Sequence, residues 1–216
     1  MPAVNLHGLE RSVYTRIARL ALEEKGVAYA LHEVEVFGPG GAPAEHRARH
    51  PFGRIPALEH DGFWLYETAA ITRYVDEAFP GPELQPREPQ RRARINQIAG
   101  LLDAYAYRPM VWGVFVERVR IPASGGASNE KTVAESLAAA RTCLAALDAL
   151  VGCEPFLLGP KLTLADLHAL PILLYFSLAA EGRQLLAGHR ALEQWLAMMR
   201  SRASVERTRS RYELAR

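Results

Sequence analysis

The stretch Ala57-Leu-Glu-His-Asp-Gly-Phe-Trp-Leu-Tyr66 contains two short apolar runs on either side of Asp61-Gly62. An Asp-Gly pair between such runs is a strong signal for a two-residue turn, because both residues tolerate the positive φ angles that the turn needs. The stretch therefore predicts a β-hairpin with strands at 57–60 and 63–66. A helix with one apolar face follows, and Glu67 opens it.

The residues before the hairpin predict a β-α-β unit. A first short strand begins at Val4 and ends near Gly8, and a second covers 29–36. Between them, apolar residues recur at helical spacing, with Ser12 as the N-cap and Gly26 as the C-cap. A β-α-β unit followed by β-β-α predicts a small mixed sheet with helices packed on it, about the size of thioredoxin.

The second half of the chain is predicted to be helical throughout. The segment Phe79-Pro-Gly-Pro-Glu-Leu-Gln-Pro86 has three prolines and one glycine, which is typical of a linker. We therefore predict an α/β domain at 1–80, a linker at 81–88 and an all-helical domain at 89–216. The arginine-rich end of the chain also carries Glu206 and Glu213, which favours a solvated helical tail over a nucleic-acid-binding arm.

The composition narrows the class of protein. The chain has 216 residues, of which 49% are hydrophobic and 23% charged, the usual mix of a globular protein. The net charge of +2 is too small to indicate nucleic-acid binding, and no run of residues is long and apolar enough to predict a membrane span. Its two cysteines, Cys143 and Cys153, build neither a disulfide framework nor a cysteine zinc site. The segment Met1 to Gly8 lacks the features of a secretory signal, so we expect a cytoplasmic enzyme or binding module.

Ser12 has two compatible interpretations, one structural and one functional. It is a typical helix cap, whose oxygen accepts a backbone N–H. A hydroxyl at a helix N-terminus can also donate a hydrogen bond to an anion bound there, and the helix dipole favours the same anion. A hydrogen bond to a charged group contributes about 1.5–3 kcal/mol, which would lower the pKa of a bound thiol by about one to two units.

Two further features lie close to the hairpin. The proline of Arg54-Ile55-Pro56-Ala57 either marks the start of a strand or forms a cis peptide bond that exposes the Ile55 backbone to an extended peptide. The pair Glu67-Thr68 lies where a strand meets a helix. It is either an ordinary helix start or a two-sided clamp for an amino acid, in which Glu67 holds an ammonium group and Thr68 a carboxylate.

The motif Thr163-Leu-Ala-Asp166 has the spacing of a capping box, with Asp in place of the usual Glu. Leu162 and Leu167 around it have the spacing of a hydrophobic staple. We therefore interpret Asp166 as a structural residue that starts a helix, not as a catalytic base.

Taken in order, four motifs resemble the cytosolic glutathione transferase family over nearly the whole chain. They are Ser12-x-x-x-Arg16 with Ala21-Leu-Glu-Glu-Lys-Gly26, His50-Pro-Phe-Gly-Arg-Ile-Pro-Ala57, Glu67-Thr-Ala-Ala-Ile71 and Thr163-Leu-Ala-Asp166. The first looks like the opening helix of the serine-type, phi-like enzymes, bacterial or plant-related. The resemblance implies a thioredoxin-like N-terminal domain, an all-α C-terminal domain and a homodimer.

The resemblance also implies roles for individual residues. Ser12 would stabilise the glutathione thiolate, and the backbone of Ile55, next to a cis Pro56, would pair with the cysteinyl part. Glu67 and Thr68 would bind the γ-glutamyl end. Thr68 replaces the serine that is usual in the family but keeps the hydroxyl.

One departure concerns the glycyl end of glutathione. Phi-like proteins often hold this carboxylate with basic residues in the loop after the second strand, where this chain has Gly41-Ala42. His46, Arg47 or Arg49 are candidate substitutes, although each is also typical of a solvent-facing position. Arg54 stands where relatives often have Gln or Lys near the tripeptide.

The implied function is a glutathione S-transferase that conjugates glutathione, its co-substrate, to an apolar electrophile in detoxification, with no metal. Candidate walls of the electrophile site are Tyr105, Tyr107, Trp112, Phe115 and Tyr175, and the same residues are equally typical of a helical core. A glutathione-dependent peroxidase or isomerase and a noncatalytic binding module remain open. The expected partners are glutathione, a small hydrophobic electrophile and a second copy of the chain, with neither nucleic acid nor membrane.

Overall fold

The computed structural model describes residues 4–152 and 155–214, so Cys153 lies outside the described residues. The chain forms two compact units. One combines Met1–Glu83 with Ala203–Arg216, and the other is Leu84–Arg202. The first unit contains an α/β segment and the second is helical.

A four-stranded mixed sheet forms the centre of the first unit. Its strands are β1 (Val4–Gly8), β2 (Ala30–Glu33), β3 (Ala57–His60) and β4 (Phe63–Tyr66). Their order in the sheet is β2-β1-β3-β4, with β1 parallel to β2 and antiparallel to β3, and β3 antiparallel to β4. The predicted βαβ-ββα order is therefore confirmed.

The hairpin that decides the fold has the expected turn. Asp61 and Gly62 have φ angles of 50° and 84°, the positive values that match the twist of the flanking strands. Strand β2 is shorter than the predicted 29–36. After Glu33 the chain leaves the sheet, and the Glu35 carboxylate accepts the backbone N–H of Phe37 at 2.7 Å, which closes a local turn.

Two helices supply the hydrophobic cover of this unit. Helix α1 (Val13–Lys25) has the predicted caps, Ser12 and Gly26, and packs against α3 (Thr68–Ala78). A short helix, α2 (Ala44–Arg49), was not predicted, because four of its six residues are polar or charged and the segment carries no apolar periodicity.

Hydrogen bonds from the C-terminal end of α1 fix the start of the linker. Lys25 Nζ donates to the carbonyl oxygens of Asp76 and Pro82 at 3.0 and 3.1 Å. Residues 79–88 are neither helix nor strand, as their prolines predict. Leu84 is buried and its carbonyl accepts the N–H of Leu164 at 3.0 Å, so the second unit begins inside the linker.

The second unit is helical. Its longest feature starts as α4 (Pro89–Leu101), continues through π-helical segments at Leu102–Ala106 and Arg108–Arg120, and ends as α5 (Ile121–Ala123). The remaining helices are α6 (Glu130–Asp148), α7 (Leu164–Leu178), α8 (Ala180–Ala187) and α9 (Arg190–Arg200). Helix α9 buries an apolar stripe that includes Trp195.

Helix α7 is the core of this unit, because all of its residues are buried. The Asp166 carboxylate in its first turn accepts four hydrogen bonds: from the backbone and hydroxyl of Thr163, from Leu157 N–H and from Trp195 Nε1, at 2.8–2.9 Å. Burial raises the pKa of Asp166, and these donors oppose the rise. The structural interpretation of the capping box is confirmed.

The C-terminal segment Ala203–Leu214, here called the strap, differs most from expectation. We predicted a solvated tail of the helical domain, but the strap belongs to the first unit and includes α10 (Ala203–Arg207) and α11 (Arg211–Leu214). The buried Arg16 of α1 forms a two-pronged ion pair with Glu213 and donates to the Val205 carbonyl at 3.3 Å. Polar contacts therefore attach the strap to α1, which is why no apolar stripe revealed it.

Candidate active site

The register of the sheet brings three segments to one edge. His7 and Tyr66 both pair with Ala57, so the end of β1, the start of β3 and the end of β4 lie side by side. The chain before Ser12, the Ile55-Pro56 peptide and the Glu67-Thr68 pair all adjoin these strand ends. The sheet thus brings together the residues that the sequence had singled out separately.

Ser12 caps α1 as predicted. Its Oγ accepts the N–H of Thr15 at 3.3 Å, and its carbonyl accepts the N–H of Arg16 at 2.9 Å. A hydroxyl has one proton to donate as well as two lone pairs. Among the described residues the Ser12 proton has no acceptor, so the cap and the donation of a hydrogen bond to an anion are compatible.

The N-terminus of α1 keeps its positive character. No acidic residue lies in the first turn, so no side chain neutralises the helix dipole. The Arg11 guanidinium, just before the cap, pairs with Glu35 at 2.6 Å. This end of the helix is electrostatically suited to an anion.

The Ile55-Pro56 peptide bond is cis. Ile55 is 8% exposed, and its backbone N–H and C=O make no hydrogen bond to the rest of the described chain. The preceding carbonyl, that of Arg54, is paired with His46 Nε2 at 2.7 Å, whereas the Arg54 side chain is exposed. The Ile55 backbone can therefore bond to an extended peptide.

Glu67 adopts a backbone conformation that is rare for its residue type. Its φ is 71°, in the left-handed region where side chains other than those of glycine are strained. Its carboxylate is exposed and makes no capping hydrogen bond, while Thr68 begins α3 as a buried residue. Like α1, helix α3 has no acidic residue in its first turn. Nothing in the sequence had indicated the strain at Glu67.

A buried histidine, His50, packs beneath this edge. Its ring centroid lies 4.7 Å from that of Tyr66 and 6.3 Å from that of Phe52. Burial lowers its pKa, and the Glu67 carboxylate opposes that change. The sequence marks His50 only as part of a motif, because its burial depends on contacts such as that with Tyr66, which form only in the folded chain.

The five aromatic candidates for the electrophile site differ in how deeply they are buried. Phe115 and Tyr175 pack against each other inside the core, with tilted rings whose centroids are 4.6 Å apart. Tyr107 and Trp112 are half-buried, and Trp112 Nε1 donates to the Tyr107 hydroxyl at 3.1 Å. Tyr105 is 69% exposed. The core interpretation therefore fits the first pair, and a ligand can reach the others.

A groove of about 540 Å³ adjoins Tyr105 and Trp112. Its lining includes the charged side chains of Arg108, Glu117 and Glu135. These charges lie beside apolar and aromatic side chains of the same lining, among them Tyr105 and Trp112.

Within residues 4–152 and 155–214, no group of three or more His, Cys, Asp or Glu side chains is arranged to hold a metal ion. In the same residues, no helix is both long and apolar enough to cross a membrane.

Both units of the chain match known protein families. Residues 6–83 match the family described as glutathione S-transferase, N-terminal domain, and residues 130–197 match glutathione S-transferase, C-terminal domain. Glutathione S-transferase F13 of Arabidopsis thaliana is 30% identical over 176 residues, which cover 81% of this chain and 80% of that protein.

Solved structures share the fold. Glutathione transferase F7 from Populus trichocarpa superposes with a TM-score of 0.80 at 24% identity, covering 95% of this chain and 97% of that one. A glutathione S-transferase-I bound with lactoylglutathione gives a TM-score of 0.80 at 24% identity, with 95% and 98% covered. The chain therefore belongs to the glutathione S-transferase family and is phi-like within it.

Proposed function

We propose that this protein is a glutathione S-transferase that holds glutathione as a thiolate at Ser12 and conjugates it to an apolar electrophile. The supporting observation is the convergence, at one sheet edge, of an uncommitted hydroxyl proton, an unpaired peptide backbone and a strained acidic residue. These are Ser12, Ile55 and Glu67. The hydroxyl can donate a hydrogen bond to a thiolate, the free backbone can bond to a peptide, and the carboxylate can bind an ammonium group.

The proposed reaction requires no covalent enzyme intermediate. The thiol proton of bound glutathione leaves to solvent, and the Ser12 hydroxyl donates a hydrogen bond to the resulting thiolate without losing its own proton. The sulfur lone pair then forms a carbon–sulfur bond. In a substitution the leaving group departs with the electrons of its former bond, and in an addition the product carbon takes a proton from water.

The remaining assignments follow the tripeptide from end to end. Ile55, in front of Pro56, pairs with the cysteinyl backbone, and Arg54 lies beside it. Glu67 holds the γ-glutamyl ammonium group, and Thr68 holds the carboxylate of that residue.

For the electrophile we retain the aromatic cluster of the helical unit. Half-buried rings can both pack and contact a ligand, which favours Tyr107 and Trp112 as its walls. Phe115 and Tyr175 support that cluster from the core.

We also propose that the protein is a homodimer, acting in the cytoplasm in detoxification. Phe52 is a candidate contact of this dimer, because its side chain is 70% exposed. A second copy would remove this apolar surface from water.

The function is tested by titrating the ultraviolet absorbance of the thiolate of bound glutathione. The absorbance should appear about one to two pH units below that of free glutathione. Conjugation of an activated chloronitrobenzene should follow the same titration. A bound thiol that titrates like the free tripeptide contradicts the role of Ser12, and binding without turnover of several electrophiles supports a noncatalytic module instead.

A further inference from the structure

The turn that precedes Ser12 is held from the β2 side of the sheet. Residues 9–12 form this turn, in which the N–H of Ser12 donates to the Leu9 carbonyl at 3.0 Å. The carboxylate of Glu33, at the end of β2, accepts the backbone N–H of Glu10 at 3.0 Å. The chain that leaves β2 therefore lies beside the turn that leads into α1.

One carboxylate links the guanidinium before Ser12 to an exposed aromatic residue. Glu35 Oε2 accepts a hydrogen bond from Arg11 Nη2 at 2.6 Å, and Glu35 Oε1 accepts the backbone N–H of Phe37 at 2.7 Å. The Arg11 side chain is 24% exposed, and Phe37 is 46% exposed. The hydrogen bond from Arg11 lowers the pKa of Glu35, so this carboxylate stays charged at neutral pH and the link is maintained.

The strand order places this pair opposite the proposed glutathione site. The order is β2-β1-β3-β4, with Ser12 after β1, Ile55 before β3 and Glu67 after β4. A tripeptide that contacts Ile55 and Glu67 lies on the β3 side of Ser12. The β2 side, where Arg11 and Phe37 lie, is left to the second substrate.

A guanidinium beside an aromatic ring suits a conjugated carbonyl compound. When a thiolate adds to such a compound, the sulfur lone pair forms the carbon–sulfur bond at the β-carbon. The carbon–carbon π pair shifts toward the carbonyl carbon, and the carbonyl π pair moves to oxygen, which gives an enolate. A guanidinium has five N–H donors, and one held beside this oxygen stabilises the charge as it develops. The α-carbon then takes a proton from water, and the carbonyl forms again.

We propose that Arg11 is a catalytic residue that donates a hydrogen bond to the carbonyl oxygen of an aryl-substituted α,β-unsaturated ketone while the carbon–sulfur bond forms. Phe37 packs against the aryl ring, and Glu35 holds Arg11 and Phe37 in place. This assignment rests on the proposed glutathione-conjugating function and names the class of its electrophile.

The test compares benzylideneacetone, an enone of this class, with benzyl chloride. Both carry a phenyl ring and react with the same thiolate, so the ratio of their kcat/KM values does not depend on how much of the thiol is ionised. In benzyl chloride the negative charge leaves with chloride, and no oxygen takes it up. Arg11→Gln should lower kcat/KM about 10-fold for benzylideneacetone and less than about 2-fold for benzyl chloride.

Two further variants sharpen this comparison. Arg209→Gln is the matched control, because Arg209 also pairs with a carboxylate, that of Glu206 at 3.0 Å, in the same unit. It should leave both kcat/KM values within about 2-fold. Arg11→Lys keeps a cation but replaces the planar fork by a point charge, so it should lower only the value for benzylideneacetone, by about 3-fold. This variant carries the test if Arg11→Gln does not fold, which circular dichroism shows.

The outcomes separate this assignment from the proposed function. Equal losses for the two electrophiles would mean that Arg11 only shapes the turn before Ser12, and unchanged values for both would mean that it has no role. Turnover of benzyl chloride without turnover of benzylideneacetone by the unmodified protein also overturns the assignment. In these three cases the proposed function stands, whereas a protein that neither binds glutathione nor conjugates either electrophile overturns both.

Discussion

The two ends of helix α1 differ in how fully their polar groups are paired. At the C-terminal end, the N–H of Gly26 bonds to the Glu23 carbonyl, and Lys25 donates to Asp76 and Pro82. At the N-terminal end, Ser12 accepts one hydrogen bond and its proton has no described acceptor.

Between the two ends, the strap covers α1 with polar contacts. Arg16 pairs with Glu213, and Arg19 donates to the Arg207 carbonyl at 3.1 Å. Arg207 in turn pairs with Glu23 at 2.6 Å. These ion pairs and hydrogen bonds hold the helix in place, and the Ser12 hydroxyl is where a ligand can bind. This division predicts that changes along the helix separate effects on stability from effects on chemistry.

The largest expected effect is on stability, from Glu213→Ala. This change leaves the fully buried Arg16 guanidinium without its anion. Removal of one partner of a buried ion pair typically costs about 3–5 kcal/mol, and we expect about 3 kcal/mol because Glu213 is partly exposed. Urea unfolding followed by circular dichroism measures the difference.

Glu206→Ala is the control within the strap. Glu206 pairs with Arg209 at 3.0 Å on the surface, where both side chains are about half exposed, so its loss should cost less than about 0.5 kcal/mol. If the two variants lost equal stability, the pair between Arg16 and Glu213 would not hold the strap.

The next effect is on activity, from Ser12→Gly. Glycine is itself an acceptable N-cap, so this change should cost only a few tenths of a kcal/mol in stability. Loss of the hydrogen bond to the thiolate should raise the pKa of bound glutathione by about one to two units and lower kcat/KM near neutral pH about 10- to 100-fold. Steady-state kinetics across a range of pH measures both.

Ser12→Thr tests whether the hydroxyl itself matters, since it keeps both the cap and the donor. It should retain most of the activity that Ser12→Gly loses. If Ser12→Gly left the pKa of bound glutathione unchanged, Ser12 would not be the donor, and the hydroxyl of Tyr14, the second residue of α1, would be tested next.

The sequence predicted the elements whose signals are local. The Asp61-Gly62 turn, and Ser12 and Gly26 at the ends of α1, are each specified within a few residues, and all lie where expected. Short motifs likewise marked Ile55 and Glu67, because each adjoins a strand end that its own neighbours define.

Contacts between distant residues were not predictable in this way. The strap is attached through Arg16 and Glu213, which are 197 residues apart, and through buried polar residues such as Ser204 and Ser210. A polar, arginine-rich sequence usually indicates solvent exposure, so composition pointed the other way. The commitment of His46 to a backbone carbonyl also depends on tertiary structure alone.

The sheet provides a third region for comparison, because it contains a histidine, His7, whose pKa the fold changes. The ring of His7 stacks on that of His32 at 4.8 Å between centroids. Burial, together with the nearby charges of His32, Arg49 and His46, lowers the pKa of His7 to about 4.

The unfolded chain, with a His7 pKa near 6.5, binds more protons than the folded one between about pH 4 and 6.5. Stability should therefore fall as the pH drops through this window. Because the ring is only partly buried, solvent screens part of this effect, and we expect a loss of about 1–2 kcal/mol. Urea unfolding at about pH 7 and pH 4.5 measures it, and His7→Gln should reduce the difference between the two conditions. An undiminished difference would place the acid-sensitive group elsewhere.

The smallest effect is expected at the fully paired end of α1, from Gly26→Ala. Gly26 has a φ of 67°, and a Cβ added to it would meet nothing within 4 Å, so the cost is backbone strain alone. We expect a loss of about 1 kcal/mol in stability and no change in kcat/KM. Gly26→Asn should lose less, because asparagine tolerates this conformation better. A change in the pKa of bound glutathione in either variant would show that strain at one end of α1 reaches Ser12 at the other, and the two ends would then have to be treated as a single coupled unit.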